Sequence, residues 1–225
     1  MEQIPAPTKE RLLFLMRFLE HAGNKGPVTS GRIEALTGWA SHTIRKDISF
    51  LGAAVEGESA PPPESGQSAG GGPGAGRLGS PAGYEPAALV SSIKKALGLE
   101  RRRKFCIVGL GRLGSAYLNV QELEGSEFEL AAGFDSNVNR TEILKSPVPL
   151  YPAYKMGEVI SRFGIEIALL CVPPEAAQAA ADRLTAAGIQ GILNFAPVVI
   201  SVPAGVAVRN IYLADELRSL TIRMA

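Results

Sequence analysis

Residues 104–114 read KFCIVGLGRLG. A short apolar run, Phe105 to Val108, ends in Gly109-x-Gly111-x-x-Gly114, and a helix-like segment follows. That order is the fingerprint of a dinucleotide-binding βαβ unit. The first glycine turns the chain tightly, the second lets a pyrophosphate approach the backbone, and the third lets helix and strand pack closely. A second apolar run, Phe128 to Phe134, ends at Asp135, 21 positions past Gly114. A carboxylate there accepts hydrogen bonds from ribose hydroxyls and repels a 2′-phosphate, so NAD(H) is expected over NADP(H). The glycines are also compatible with a bare tight turn in a domain that has lost its ligand. Arg112 either pairs with the pyrophosphate or is an exposed, solvated side chain.

From the fingerprint onward the pattern alternates. Strands are expected near 104–108, 128–134, 166–172, 190–194 and 206–211, and helices near 112–123, 154–163, 174–187 and 213–223. Such alternation predicts a parallel, doubly wound α/β sheet. Pro173-Pro174-Glu175 opens one of these helices, where a missing N–H costs nothing.

The first half of the chain is different material. Thr8 is a candidate N-cap for a helix over 9–22, stopped by Gly23. Its middle, Leu12 to Leu19, is apolar except for Arg17, which predicts a helix buried on several sides with Arg17 as a charge among apolar neighbours. Ser30 is a candidate cap for a short helix to Leu36, Thr37-Gly38-Trp39 makes a turn, and Ser41 is a candidate cap for a third helix. In that third helix Ile44, Ile48 and Leu51 share one face, and His42, Thr43, Arg45 and Lys46 crowd the start of the other. This is the order of a helix-turn-helix, whose second helix offers its N-terminal residues to base edges. Ser41, His42, Thr43, Arg45 and Lys46 are therefore the candidate DNA contacts, with Arg45 or Lys46 donating to guanine. An ordinary helical bundle with solvated charges is the competing reading.

Charge offers modest help. The 225-residue chain has net charge +1, so DNA affinity needs a local patch. Residues 1–52 hold seven Lys/Arg against five Asp/Glu, a local +2. Residues 53–83 are rich in Gly, Pro, Ala and Ser and carry Arg77 against Glu56, Glu58 and Glu64, a net −2; they are expected to be mobile and to add little to phosphate contact. A helix is expected over 86–97 with Gly98 as its stop, followed by the basic run 101–104. No apolar run is long enough to span a bilayer and the opening ten residues do not read as a signal peptide, so the cytoplasm is the expected location. Cys106 and Cys171 show no metal or CxxC spacing and read as buried, reduced thiols. The only histidines, His21 and His42, lie outside the nucleotide-binding half, and about 15 residues follow the last expected strand. No catalytic residue and no metal ligand is assigned, and an enzyme is the weaker expectation.

TIRKDISFLG (43–52), CIVGLGRLGSA (106–116) and AADRLTAAGIQGILNFAPVVISVP (180–203) together resemble the Rex family of redox-sensing transcriptional repressors. The resemblance runs from about residue 4 to 225, and GILNFAP is its most specific part. It implies an N-terminal winged helix-turn-helix joined to a Rossmann dinucleotide-binding domain, and a homodimer with an exchanged C-terminal helix. It implies binding to operator DNA, and release by NADH. The corresponding division is 1–84, with 53–83 as a wing insertion, then 85–211, then a dimerisation helix over 212–225. Carried over residue by residue, Gly109, Leu110, Gly111, Arg112, Leu113 and Gly114 form the phosphate loop, Asp135 the ribose carboxylate, Val172 and Pro173 the cofactor-lining strand end, and Asn194, Phe195, Ala196 and Pro197 the nicotinamide-side loop. Leu213, Leu217, Leu220 and Met224 make an apolar stripe suited to a partner subunit, although packing on their own domain fits equally.

Two positions depart from the family pattern. A tyrosine expected after the phosphate loop is Val120 here, with Tyr117 a turn earlier, and an aspartate expected before the last helix is Tyr212, with Asp215 three residues on. In relatives that aspartate exchanges partners between the tyrosine and an arginine matched by Arg17. Arg17, Val120, Tyr212 and Asp215 are thus switch candidates. The alternatives are a repressor with a lost or rewired redox response, a small NAD-dependent oxidoreductase, and a nucleotide-binding scaffold without DNA function.

Overall fold

Leu12, Leu15, Met16 and Leu19 recur at helical spacing and form the buried face of α1 (Ala6–His21). The helix is buried on one face rather than all round. Leu13 and Phe14 are exposed, and so is Arg17, which stands at the surface and not among apolar neighbours as the sequence suggested. The structure is a computed structural model and describes residues 4–21, 26–56, 83–119 and 126–224. The expected stop at Gly23, the insertion residues 57–82 with Arg77, and Val120 lie outside the described residues.

The chain divides into two units, residues 1–100 and 101–225. In the first, α1 packs with α2 (Ser30–Thr37), α3 (Ser41–Glu56) and α4 (Pro86–Leu97) around Leu12, Ile33, Ile44, Ile48, Leu51, Leu89 and Ile93. Leu89 and Ile93 put α4 in this core, so the division falls at 100/101 and not at 84/85. The caps also shift. Thr8 lies within α1, where its buried hydroxyl donates to Asp47 Oδ1 at 3.0 Å. Thr29, not Ser30, caps α2 by accepting from the Arg32 backbone N–H at 3.2 Å. Ser41 is the first residue of α3 and not its cap, since the N–H groups of Thr43 and Ile44 both go to the Ala40 carbonyl. α3 also continues through Glu56, four residues into the expected insertion. Beyond it, Val28 and Tyr84 exchange backbone hydrogen bonds of 2.8 and 2.9 Å in an isolated antiparallel bridge.

One polar knot ties α1 to α3. Arg11 donates to Asp47 through Nε at 2.6 Å and Nη2 at 2.8 Å, and Thr8 adds its hydroxyl. The hydrogen-bonded Asp47 carboxylate raises the Arg11 pKa against the opposing effect of burial.

The second unit is a six-stranded, wholly parallel sheet in the order β3-β2-β1-β4-β5-β6. Its strands are β1 (Arg103–Val108), β2 (Phe128–Asp135), β3 (Leu150–Pro152), β4 (Ile167–Leu170), β5 (Gly191–Asn194) and β6 (Ala207–Asn210). The order reverses between β1 and β4, the switch point where open α/β sheets bind ligands. Cys106, Val108, Ala132, Phe134, Ala168 and Leu170 point to one face, which α7 (Met156–Phe163) and α8 (Pro174–Ala186) cover. Phe105, Ile107, Leu130, Ile167 and Leu169 point to the other face, beside α5 (Arg112–Tyr117). β3 and the short α6 (Val138–Ile143) were not expected, because prolines at 149 and 152 mask a three-residue strand. The last helix, α9 (Leu213–Met224), has no buried residue.

Candidate cofactor crevice and DNA-reading helix

The three fingerprint glycines are needed for different reasons. Gly109 has φ +91°, and a Cβ there would lie 2.7 Å from the Cys171 carbonyl oxygen. A Cβ on Gly114 would lie 1.9 Å from the Gly109 carbonyl oxygen, so the loop closes only over a hydrogen atom. Gly111 is unlike both. Its φ is −67°, a Cβ would meet no protein atom within 4 Å, and it lines a crevice of about 600 Å³. That open space is where a ligand's phosphates would lie against bare backbone.

Asp135 ends β2 at the wall of the crevice. It is buried, its Oδ2 accepts from the Leu110 N–H at 2.7 Å, and its Oδ1 accepts from the Asn137 N–H at 2.7 Å. The carboxylate therefore braces the phosphate loop as well as facing the crevice. Arg140 on α6 reaches Asp135 Oδ2 with Nη1 at 3.4 Å. Gly109, Gly111, Asp135, Val172, Pro173 and Pro197 of the expected set line the crevice.

The rest of the expected set is placed otherwise. Leu110 is buried, while Arg112 and Leu113 are exposed on α5 and do not line the crevice. Asn194 is fully buried and internally spent: Nδ2 donates to the Val198 carbonyl at 2.8 Å and to Asn210 Oδ1 at 3.0 Å, and Oδ1 accepts from the Ala196 N–H at 3.0 Å. It shapes the 194–198 turn instead of presenting its amide to a ligand. Ala196 is buried, and Phe195 packs on Tyr117 with ring centroids 5.3 Å apart, in a groove on the other face of the sheet. Sequence reasoning missed Arg140, Met156 and Arg183 as crevice residues. Arg140 was the accessible one, five positions past Asp135.

The candidate DNA contacts separate in the same way. His42, Arg45 and Lys46 are exposed on the first turns of α3. Ser41 is committed to the protein: its hydroxyl and its N–H both go to Glu34 Oε2, which ties α3 to α2. Thr43 is half-buried. Of the switch candidates, Tyr212 donates its hydroxyl to the Val198 carbonyl at 2.5 Å, and exposed Asp215 pairs with Arg218 at 2.5 Å.

Cys106 and Cys171 have pKa values pushed up to about 12 by burial. They are expected to resist iodoacetamide at neutral pH in the folded protein and to react once it is unfolded, read by mass spectrometry. The unfolded chain ionises these thiols from about pH 9, so their contribution to stability is intact below that value and declines as pH rises toward 12.

Comparison with known proteins agrees with both halves. Residues 3–49 match the family of DNA-binding protein N-termini, and residues 100–198 match the CoA binding domain family. The redox-sensing transcriptional repressor Rex of Bacillus licheniformis is 33% identical over 220 residues, covering 97% of this chain and 92% of the relative. The Rex of Levilactobacillus brevis is 31% identical over 221 residues, covering 97% and 93%. Among solved structures, the Rex-family repressor RSP with NAD⁺ and operator DNA aligns with a TM-score of 0.79 at 28% identity, covering 98% of this chain and 92% of RSP. RSP with NADH aligns with a TM-score of 0.78 at 26% identity, covering 100% and 95%. These relatives are regulators rather than enzymes. The chain belongs to the Rex family of redox-sensing transcriptional repressors.

Proposed function

We propose that this chain is a cytoplasmic, homodimeric repressor that binds operator DNA through α3 and NAD(H) in the crevice at the β1/β4 switch point, and that NADH weakens its hold on the operator. The carrying observation is the Gly111 opening beside the braced Asp135, in a chain that also bears a helix-turn-helix with exposed His42, Arg45 and Lys46. When bound, the dinucleotide supplies the sensed redox state. The chain's own residues hold it: Gly109 and Gly111 bring bare backbone to the phosphates, Asp135 accepts from the ribose, and Val172, Pro173 and Pro197 wall the crevice. Asn194 acts by holding the turn that carries Pro197.

The dimer rests on two apolar surfaces. Leu213, Leu217, Leu220 and Met224 are exposed on α9 and do not pack on their own unit. The sheet face carrying Phe105, Ile167, Leu169 and Phe195 bears an apolar groove of about 560 Å³. Strands of a parallel sheet are normally covered on both faces, and a partner's helix would supply the missing layer.

A second reading keeps the DNA and cofactor sites but alters the redox response. It is favoured by the commitments of Tyr212 to Val198 and of Asp215 to Arg218. Titrating a symmetric operator at fixed salt, first with NAD⁺ and then with NADH, separates the two. A lower operator affinity with NADH supports the first reading, and equal affinity supports the second.

A further inference from the structure

We propose that Glu34 is a positioning residue that sets the sequence stringency of DNA binding. Its carboxylate holds the first turn of α3 in place and repels backbone phosphates there, so that tight binding requires base contacts. This rests on α3 being the DNA-reading helix. The start of a helix attracts anions, because its first N–H groups are unpaired and its dipole is positive at that end. A reading helix with an open start would hold a phosphate of any DNA sequence.

In this chain a carboxylate already occupies that place. Glu34, on α2, accepts through Oε2 from the Ser41 N–H at 3.3 Å and from the Ser41 hydroxyl. Its own carbonyl accepts from the Gly38 N–H at 2.8 Å, where the chain leaves α2 with φ +74°. One residue thus closes α2 and opens α3, on the two sides of the turn. Glu34 is exposed, and its Oε1 has no hydrogen-bond partner among the described residues. The other acidic residues of these two helices lie elsewhere: Asp47 is buried against Arg11, and Glu56 ends α3. The effect of the Glu34 charge depends on what faces it. A phosphate is repelled, whereas base edges of cytosine and adenine offer amino donors to a carboxylate oxygen. On a matched site the first residues of α3 meet base edges, while binding to unmatched DNA is almost wholly attraction to phosphates. Glu34 therefore penalises unmatched DNA more than the operator.

The test uses the full chain and two duplexes of equal length. One is a symmetric duplex enriched by the unaltered protein from a randomised pool, and the other is the same duplex with both half-sites scrambled. Affinities for both are measured by fluorescence anisotropy over a series of salt concentrations. Glu34→Gln keeps an acceptor for both Ser41 bonds and removes the charge. It is expected to raise affinity for the scrambled duplex by about three- to tenfold while changing affinity for the enriched duplex by less than about twofold. The salt slope on the scrambled duplex is expected to steepen by about 0.5–0.9, up to one phosphate equivalent. A merely structural role would lower both affinities together and leave that slope as it was. Glu34→Asp, which keeps the charge, is expected to retain the ratio of the two affinities within about twofold. Glu158→Gln, which removes the same charge from the exposed start of α7 in the other unit, is expected to leave the ratio within about twofold. The thermal midpoint checks that Glu34→Gln folds, and if it does not, Glu34→Ala carries the same test. The proposal is overturned by an unchanged or larger ratio of enriched to scrambled affinity in Glu34→Gln, by an unchanged salt slope, or by an equal change in Glu158→Gln. If the unaltered protein enriches no duplex, the DNA-reading role of α3 falls and this inference with it.

Discussion

Gly111→Ala is expected to leave the protein folded and to cost it the cofactor. The φ of −67° suits alanine, and the new methyl meets no protein atom, so the thermal midpoint should stay within experimental scatter. The methyl would occupy the space where phosphates approach the backbone. A clash of that kind costs about 1–3 kcal/mol, and NADH affinity should fall by about 100-fold, measured by fluorescence titration. Gly114→Ala should behave differently. Its Cβ would lie 1.9 Å from a backbone oxygen, so the loop itself must move, and stability and binding should fail together. Normal NADH affinity in Gly111→Ala would show that the ligand does not lie against this loop.

The second large effect concerns α3. Asp47→Ala removes a buried carboxylate that holds Arg11 by two hydrogen bonds and Thr8 by a third. Arg11 keeps some access to water, with 28% of its side chain exposed, so the cost should sit toward the low end of the range for a broken buried pair, about 2–3 kcal/mol. In a unit of this size that lowers the thermal midpoint by about 10–20 °C. Operator binding should fall with it, because α3 loses its tie to α1. Combining Asp47→Leu with Arg11→Met and Thr8→Val removes every partner of the knot and should restore most of the midpoint. Failure of the triple replacement to recover stability would mean that the knot itself is not what Asp47→Ala breaks.

Much of this was legible in residue order, and the limits have physical causes. The glycine spacing, the long apolar strands and Asp135 are local patterns, and each appears where a doubly wound sheet needs it. The i, i+4, i+7 face of α3 was equally plain, and Ile44, Ile48 and Leu51 are buried. What local patterns could not give was competition for polar atoms. Thr8 looked like a cap but spends its hydroxyl on Asp47, 39 residues away. Ser41 looked like a DNA contact but is held by Glu34. Asn194 looked like a ligand contact but satisfies three atoms of its own fold. The bonds of Thr8 to Asp47, Ser41 to Glu34 and Asn194 to Asn210 join separate elements and no periodicity encodes them, while the Val198 and Ala196 bonds of Asn194 are local turn bonds that hydrophobic patterning does not show. Arg17 failed for another reason: its neighbours in sequence are apolar, yet it lies off the stripe formed by Leu12, Leu15, Met16 and Leu19. The placement of α4 failed because its composition suits either unit, and only the burial of Leu89 and Ile93 assigns it.

The sharpest test of a chain that joins a redox cofactor to an operator is thermodynamic. Binding free energies at two coupled sites are reciprocal. NADH affinity measured with and without saturating operator DNA, at one salt concentration, should fall in the presence of DNA by the same factor by which NADH lowers operator affinity. An NADH affinity indifferent to saturating operator would contradict the account, whatever each site binds on its own.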